Sequence, residues 1–332
     1  MDRGEETAST STHRRRAVLA GLCGTLVASR SPRAQPITRS VTFVVGFAPG
    51  GSVDLVARII GQALGPQIGH GVVVENRAGA AGFIGLQAVA NAAPNGHVLA
   101  VASGFNLAAS PVLPGMIMPV DPDTDLTPIG GLGRCAMVLV ARPGAPFHDM
   151  AGFIAHARGN RITCGHAGAG SSPHLMAARM AQMARVELDY VGYRGGAPAL
   201  VDLMAGRIDV YFALLPEALQ HIRRGALRAL AVASELPHPA LPGVPVMQEV
   251  LPGLVGGSWW ALMGPRGLSA AWVSYWSGQL ADVVARPEVR QRLAESQIDA
   301  SDTSPDAVRA EIETERRIWA QVIRAANIRV EG

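Results

Sequence analysis

The hydrophobic pattern of the chain changes period repeatedly. Residues 41–47 form a continuous apolar run rich in Val and Phe, the pattern of a strand covered on both faces in a parallel sheet. The run ends in Ala48-Pro49-Gly50-Gly51-Ser52. Beyond it Leu55, Val56, Ile59, Ile60, Ala63 and Leu64 recur at helical spacing, with Asp54, Arg58 and Gln62 off the stripe. Ser52 suits an N-cap, and Asp54 falls in the first turn, where the helix dipole favours an anion. The unit then repeats in kind: a strand at 72–75, a Gly-rich turn at 76–82, a helix to residue 93, a Pro94-Asn95-Gly96 turn and a strand at 97–102. Strands alternating with helices imply βαβ units and a mostly parallel sheet.

Residues 107–127 are rich in Pro and Gly and read as a long loop, a natural place for the chain to leave one domain. A second series follows: a strand at 136–141, a helix at 150–158, a strand at 161–166 and the loop Ala167-Gly168-Ala169-Gly170-Ser171-Ser172. Pro173 opens a helix with Leu175, Met176, Met180 and Met183 on its apolar face. Further strands are expected at 188–193, 208–212 and 227–233, and a largely helical tail at 270–328 buries Val308, Ile312, Ile318, Trp319 and Val322. The fold class is α/β.

At 332 residues, 48% hydrophobic and 17% charged, the chain has room for two ordinary domains. Arg14, Arg15 and Arg16 precede an apolar run at 17–28, the length of a secretory core and too short for a membrane span. Residues 1–34 therefore read as a signal peptide cleaved near Ala34-Gln35. The consecutive arginines are compatible with the twin-arginine or the general export route, and bulky Leu22 disfavours a lipid anchor on Cys23. The segment holds six Arg and three acidic residues, which leaves 23 positive and 23 negative residues after cleavage. The mature protein thus has no net positive field to attract nucleic acid or anionic lipid. The absence of any Lys excludes P-loop and Schiff-base lysine chemistry. Cys135 and Cys164 remain; an oxidising compartment permits a bridge, but two buried free thiols are expected.

Two segments carry the candidate chemistry: Phe47-Ala48-Pro49-Gly50-Gly51-Ser52 and Gly168-Ala169-Gly170-Ser171-Ser172, each following a strand and opening a helix. Glycine admits a ligand close to the backbone, and the first helical N–H groups lack internal partners. One such end per half of the chain would clamp a carboxylate; the plainer alternative is that Gly and Ser only cap helices. Arg194, after a strand, either faces an acidic ligand or is an ordinary solvated arginine. Enzyme signatures fail. Gly79, Gly82 and Gly85 lack the dinucleotide-binding spacing, and Gly170-x-Ser172-x-His174 lacks the second glycine of a nucleophile elbow. Cys164, His166 and His174 match no zinc spacing, so neither metal nor cofactor is expected. An exported hydrolase using Ser172 and His174 is the enzymatic alternative.

A family resemblance rests on motifs in order: Phe47 to Ser52 with Asp54 and Ala57-Arg58; Val74-Glu75-Asn76-Arg77 with Gly79 and Gly82; Asp125-x-Thr127-Pro128-Ile129; Gly168-x-Gly170-Ser171 with His174-Leu175; Tyr193-x-Gly195; and Leu227-Arg228-Ala229-Leu230-Ala231-Val232. Together they resemble the Bug-type receptors of tripartite tricarboxylate transporters over nearly all of the mature chain. The resemblance implies a type II periplasmic-binding-protein fold, two α/β lobes joined by two crossing strands near 127–132 and 258–264. Lobe one then comprises 36–128 and 259–332, and lobe two 129–258. It implies a periplasmic, monomeric solute-binding protein that is not an enzyme and delivers a small carboxylate to membrane subunits, or alternatively serves a sensor. It also implies that backbone amides of Ala48 to Ser52 and Gly168 to Ser172 hold the carboxylate, with Ser103 and Asn106 as further candidates by position. Three departures stand out. Asn95-Gly96-His97 replaces the usual Asp-Gly-Tyr, Tyr211-Phe212-Ala213-Leu214 lacks an Asp-Asn pair, and Trp272 and Trp276 occupy a helix normally filled by Ile, Val and Leu.

The mature protein is expected to begin near Gln35 and to be recovered outside the cytoplasm. Intact-mass measurement of exported material checks this, and retention of residues 1–34 would refute it.

Overall fold

A computed structural model describes residues 37–329; the expected signal peptide, its cleavage point and Cys23 lie outside them. The elements in order are β1 (Val41–Val45), α1 (Ser52–Ile68), β2 (Val72–Asn76), α2 (Phe83–Ala90), β3 (Val98–Ser103), β4 (Leu126–Ala141), α3 (Met150–Ala157), β5 (Thr163–His166), α4 (Ser172–Ala184) and β6 (Asp189–Gly192). There follow α5 (Gly196–Met204), β7 (Val210–Leu214), α6 (Leu215–Arg223), β8 (Arg228–Val232), β9 (Gly257–Pro265), α7 (Ala270–Ala285), α8 (Pro287–Glu295) and α9 (Pro305–Ala326). The strands run in the order β2-β1-β3-β9-β4-β7-β5-β6, with β8 also on β4.

The strand β4, 16 residues long, decides the architecture. Its first part pairs antiparallel with β9 from Leu126↔Pro265 to Ala136↔Gly257, while its second part, Met137 to Ala141, pairs with β7 and β8. One strand thereby passes from the sheet containing β1 and β3 into the sheet containing β5 and β7. Both ranges expected for crossing strands fall within β4 and β9. The expected loop at 107–127 is partly ordered: a π-helical turn spans Phe105–Ala109 and a 3-10 turn Ser110–Val112.

Each sheet is covered on both faces, as the unbroken apolar runs require. Along β1, Val41, Phe43 and Val45 join the core with Val56, Ile60, Trp276 and Leu280, whereas Val44 faces Phe83 and Leu86. In the second sheet, Leu139 and Phe212 pack with Phe153 and Met180, while Val138 and Tyr211 pack with Leu203 and Leu219 on α5 and α6. Neither of those two helices is evident in the hydrophobic pattern. Cys135 and Cys164 are buried free thiols. Burial pushes the Cys164 thiol up to about 12, which keeps it protonated and inert.

Two of the sequence departures prove to be one contact. A Cβ on Gly96 would stand 2.6 Å from the Trp272 ring. His97 meets that ring edge-on at 6.1 Å, and the Trp276 indole donates to the Gly96 carbonyl at 3.1 Å. Trp276 is fully buried. Trp276→Ala is therefore expected to cost about 3–5 kcal/mol, from lost burial and the cavity left behind, read as a lowered midpoint in denaturant.

Candidate functional site

The loop between β1 and α1 is shaped by one carboxylate. Asp54, 4% exposed, accepts from the Gly50 amide at 3.0 Å, from Arg58 Nε and Nη2 at 2.9 Å each, and from Asn76 Nδ2 at 3.0 Å. Burial opposes ionisation, but the hydrogen bonds and the Arg58 charge together hold its pKa below the usual value.

A second carboxylate reaches this loop from the other sheet. Glu217, at N3 of α6, accepts from the Tyr211 hydroxyl at 3.0 Å and the Leu214 amide at 3.2 Å through Oε1, and from the Ser52 amide at 3.4 Å through Oε2. Burial pushes its pKa up against the lowering effect of these donors. A Cβ on Gly196 would lie 2.3 Å from the carboxylate, so only glycine allows this approach. Beside it the Ala48 amide donates to the Arg194 carbonyl at 2.8 Å. The two sheets therefore meet across the cleft through backbone and an internal acid. The signal for Glu217 was Leu215-Pro216-Glu217, proline in the first turn followed by Glu at N3, a helix-start pattern.

The second Gly-rich loop is tied down by histidines. The Gly168 amide donates to His166 Nδ1 at 3.2 Å, and the Gly170 amide to His174 Nδ1 at 2.9 Å. The two rings stack with centroids 4.5 Å apart, and Tyr190 stands edge-on to His174 at 4.9 Å.

Between these walls lies a cavity of about 390 Å³, lined on one side by Gly46, Phe47 and the Gly79–Gly82 turn, and on the other by His166 to Ala169 and Gly192 to Arg194. Gly115, Met116 and Ile117 complete the lining. Of the expected residues, Phe47, Gly168, Ala169 and Arg194 reach it, whereas Ala48, Gly50, Gly51, Ser52, Gly170, Ser171 and Ser172 form the loops behind it. Ser103 and Asn106 act at one remove. Ser103 Oγ donates to Asn106 Oδ1 at 2.6 Å, and Asn106 Nδ2 donates to the Ala81 carbonyl at 2.8 Å. They brace a turn in which Ala80 and Ala81 have φ of 46° and 52°, a left-handed conformation costly for residues with a Cβ. Tyr211, in the segment that lacks the Asp-Asn pair, is fully buried and directed to Glu217.

The polar side chains of the lining are His166, Tyr193 and Arg194. Tyr193 donates its hydroxyl to Asp202 at 2.8 Å, and Arg194 is exposed with no ion pair among the described residues. Next to Met116 of the lining lies an apolar cluster that includes Phe105 and Leu113 with Leu175 of α4 and Ile323 of α9.

Burial, with the neighbouring His166 adding to it, lowers the pKa of His174 to about 4 from 6.5. Between those values the unfolded chain holds the proton and the folded chain does not. This contribution to stability is therefore complete above about pH 6.5 and is lost as pH falls towards about 4, by on the order of 3 kcal/mol. The denaturation midpoint should fall over that interval. In His174→Asn, which retains an acceptor for the Gly170 amide, the fall should flatten; an unchanged slope would assign the loss to other groups.

A sequence profile described as the tripartite tricarboxylate transporter family receptor matches residues 56–328. The UPF0065 protein in the tcbD-tcbE intergenic region of Pseudomonas sp. strain P51 is 35% identical over 317 residues, covering 93% of this chain and 94% of that protein. Among solved structures, R. palustris Rpa4515 with adipate matches with a TM-score of 0.84 at 30% identity, covering 88% of this chain and 98% of the other. The periplasmic binding protein BugD matches with a TM-score of 0.85 at 29% identity, covering 89% and 100%. The two-lobed α/β fold is common to these binding proteins, and their family is one of receptors rather than enzymes, which displaces the hydrolase alternative at Ser172 and His174. Profile, relatives and fold agree over nearly the whole described chain: it belongs to the receptor family of tripartite tricarboxylate transporters.

Proposed function

We propose that this receptor is exported to the periplasm, captures a small carboxylate-bearing solute between lobe one (36–128 and 259–332) and lobe two (129–258), and presents it as a monomer to the membrane subunits of its transporter. The observation that carries the reading is the cleft cavity of about 390 Å³ with Arg194 in its lining. That volume suits a small solute, and a guanidinium can pair both oxygens of a carboxylate. The adipate named with Rpa4515 supports the same ligand class.

Phe47, Gly168, Ala169 and Arg194 are the residues placed to touch the solute. The remaining loop residues serve closure. The amides of Ala48, Gly50, Ser52, Gly168 and Gly170 already serve protein acceptors, so charge recognition falls to the arginine together with the remaining loop amides, Ala169 in the cavity lining among them. Ser103 and Asn106 keep the opposing wall in shape.

A thermal-shift screen of mono-, di- and tricarboxylates and aromatic acids should find acids that raise the melting temperature by binding the folded state alone. With such an acid, Arg194→Ala should weaken binding roughly ten- to a hundredfold, the equivalent of one charge-assisted hydrogen bond of about 1.5–3 kcal/mol. The backbone contact from Ala48 to residue 194 persists in that variant. Undiminished affinity would move the carboxylate elsewhere, and a panel with no binder would count against the receptor reading itself.

A further inference from the structure

The lobe-two wall of the cavity holds a donor whose partner the fold does not supply. His166 is 7% exposed and lines the cavity. Its Nδ1 accepts from the Gly168 amide at 3.2 Å, which places the proton of the neutral ring on Nε2. Among the described residues Nε2 has no protein acceptor. Burial lowers the pKa of this ring, keeping it neutral near pH 7.

The ring is also fixed in place. It is stacked at 4.5 Å and 24° on His174, which is itself tied to the Gly170 amide at 2.9 Å, and Tyr190 lies edge-on to it at 6.3 Å. On the neighbouring strand Gly192 pairs with His166 in register, two residues before Arg194. A side chain on Gly192 would come within 3.2 Å of the imidazole Cε1. Of the three polar side chains in the lining, Tyr193 has its hydroxyl on Asp202. Two polar side chains are left for the solute on one wall: the guanidinium of Arg194 and the imidazole N–H of His166. A donor on a largely buried ring, held rigid and without an internal acceptor, penalises any ligand that covers it and leaves it unpaired.

We infer that His166 is a specificity-determining residue whose Nε2–H donates to a second acceptor oxygen of the solute, so that the receptor selects acids bearing two acceptor groups over matched monocarboxylates. This deepens the receptor reading and rests on it. Arg194 takes the charge that both kinds of acid share, and His166 distinguishes between them.

The test is titration calorimetry with matched pairs, adipate against hexanoate and terephthalate against benzoate, on the wild type, His166→Asn and His166→Gln. Asn keeps an acceptor near the Nδ1 position for the Gly168 amide but cannot reach the Nε2 position; Gln can. The wild type should prefer the two-acceptor member of at least one pair. His166→Asn should lose at least tenfold on that member with little change for its one-acceptor partner, and His166→Gln should recover part of the loss. Equal weakening of both members, or no weakening, would overturn the inference. So would a wild type that binds the monocarboxylates as tightly, although the receptor reading would survive that result. A wild type that binds none of the four acids would also overturn the inference, while the receptor reading would stand or fall on the wider acid panel.

Discussion

The antiparallel pairing of β4 with β9 is the constraint on which the molecule is built. It places the two sheets end to end through a single continuous strand, and it requires an unusually bare stretch of β4. A Cβ on Gly130 would stand 2.2 Å from the Thr303 carbonyl, and the Gly131 amide donates to Asp302 at 3.0 Å. The segment before α9 lies on the strand backbone itself. The C-terminal helices are thereby fastened to the crossing, and α9 in turn reaches Leu175 on the other side of the cleft.

Within that frame, several amides at the helix starts that face the cleft are satisfied from inside the protein. Asp54 takes the Gly50 amide and Glu217 the Ser52 amide, each a carboxylate set where the helix dipole of α1 favours negative charge. Histidine nitrogens do the same for the second loop. These internal acceptors hold the loops in shape, and the cavity between them is mostly backbone and apolar side chain. Few groups are left to recognise a charge, and their position on one wall gives the ligand a direction.

Much of this was legible in the chain. Unbroken runs such as 41–47 and 136–141 announce strands covered on both faces, β1 parallel to its neighbours and β4 antiparallel to its own, and the Gly-rich turns announce helix starts. The two crossing ranges followed from resemblance. What escaped was short or non-local. Helices α5 and α6 have only nine residues each, too few for a repeating stripe to stand out. Glu217 lies 165 residues from Ser52, and nothing in the local sequence pairs them. His166 reads as a strand terminus, with no metal spacing around it, until the cavity is seen beside it. The pairing of Asn95-Gly96-His97 with Trp272 and Trp276 makes the same point: two departures that look independent along the chain are one packing solution in space.

The internal satisfaction of the cleft loops has a consequence for how such a receptor diversifies. Where the ligand's charge is held by the same amides that draw the lobes together, a change of diet disturbs the closing mechanism. Here the contacts between the two sheets across the cleft are made by Glu217 and main chain, and they are separate from the side chains that line the cavity. Substitutions at Arg194, His166 or Met116 change the cavity lining while leaving those contacts untouched. Evolution is thus free to explore new linings on a scaffold whose cross-cleft contacts stay the same.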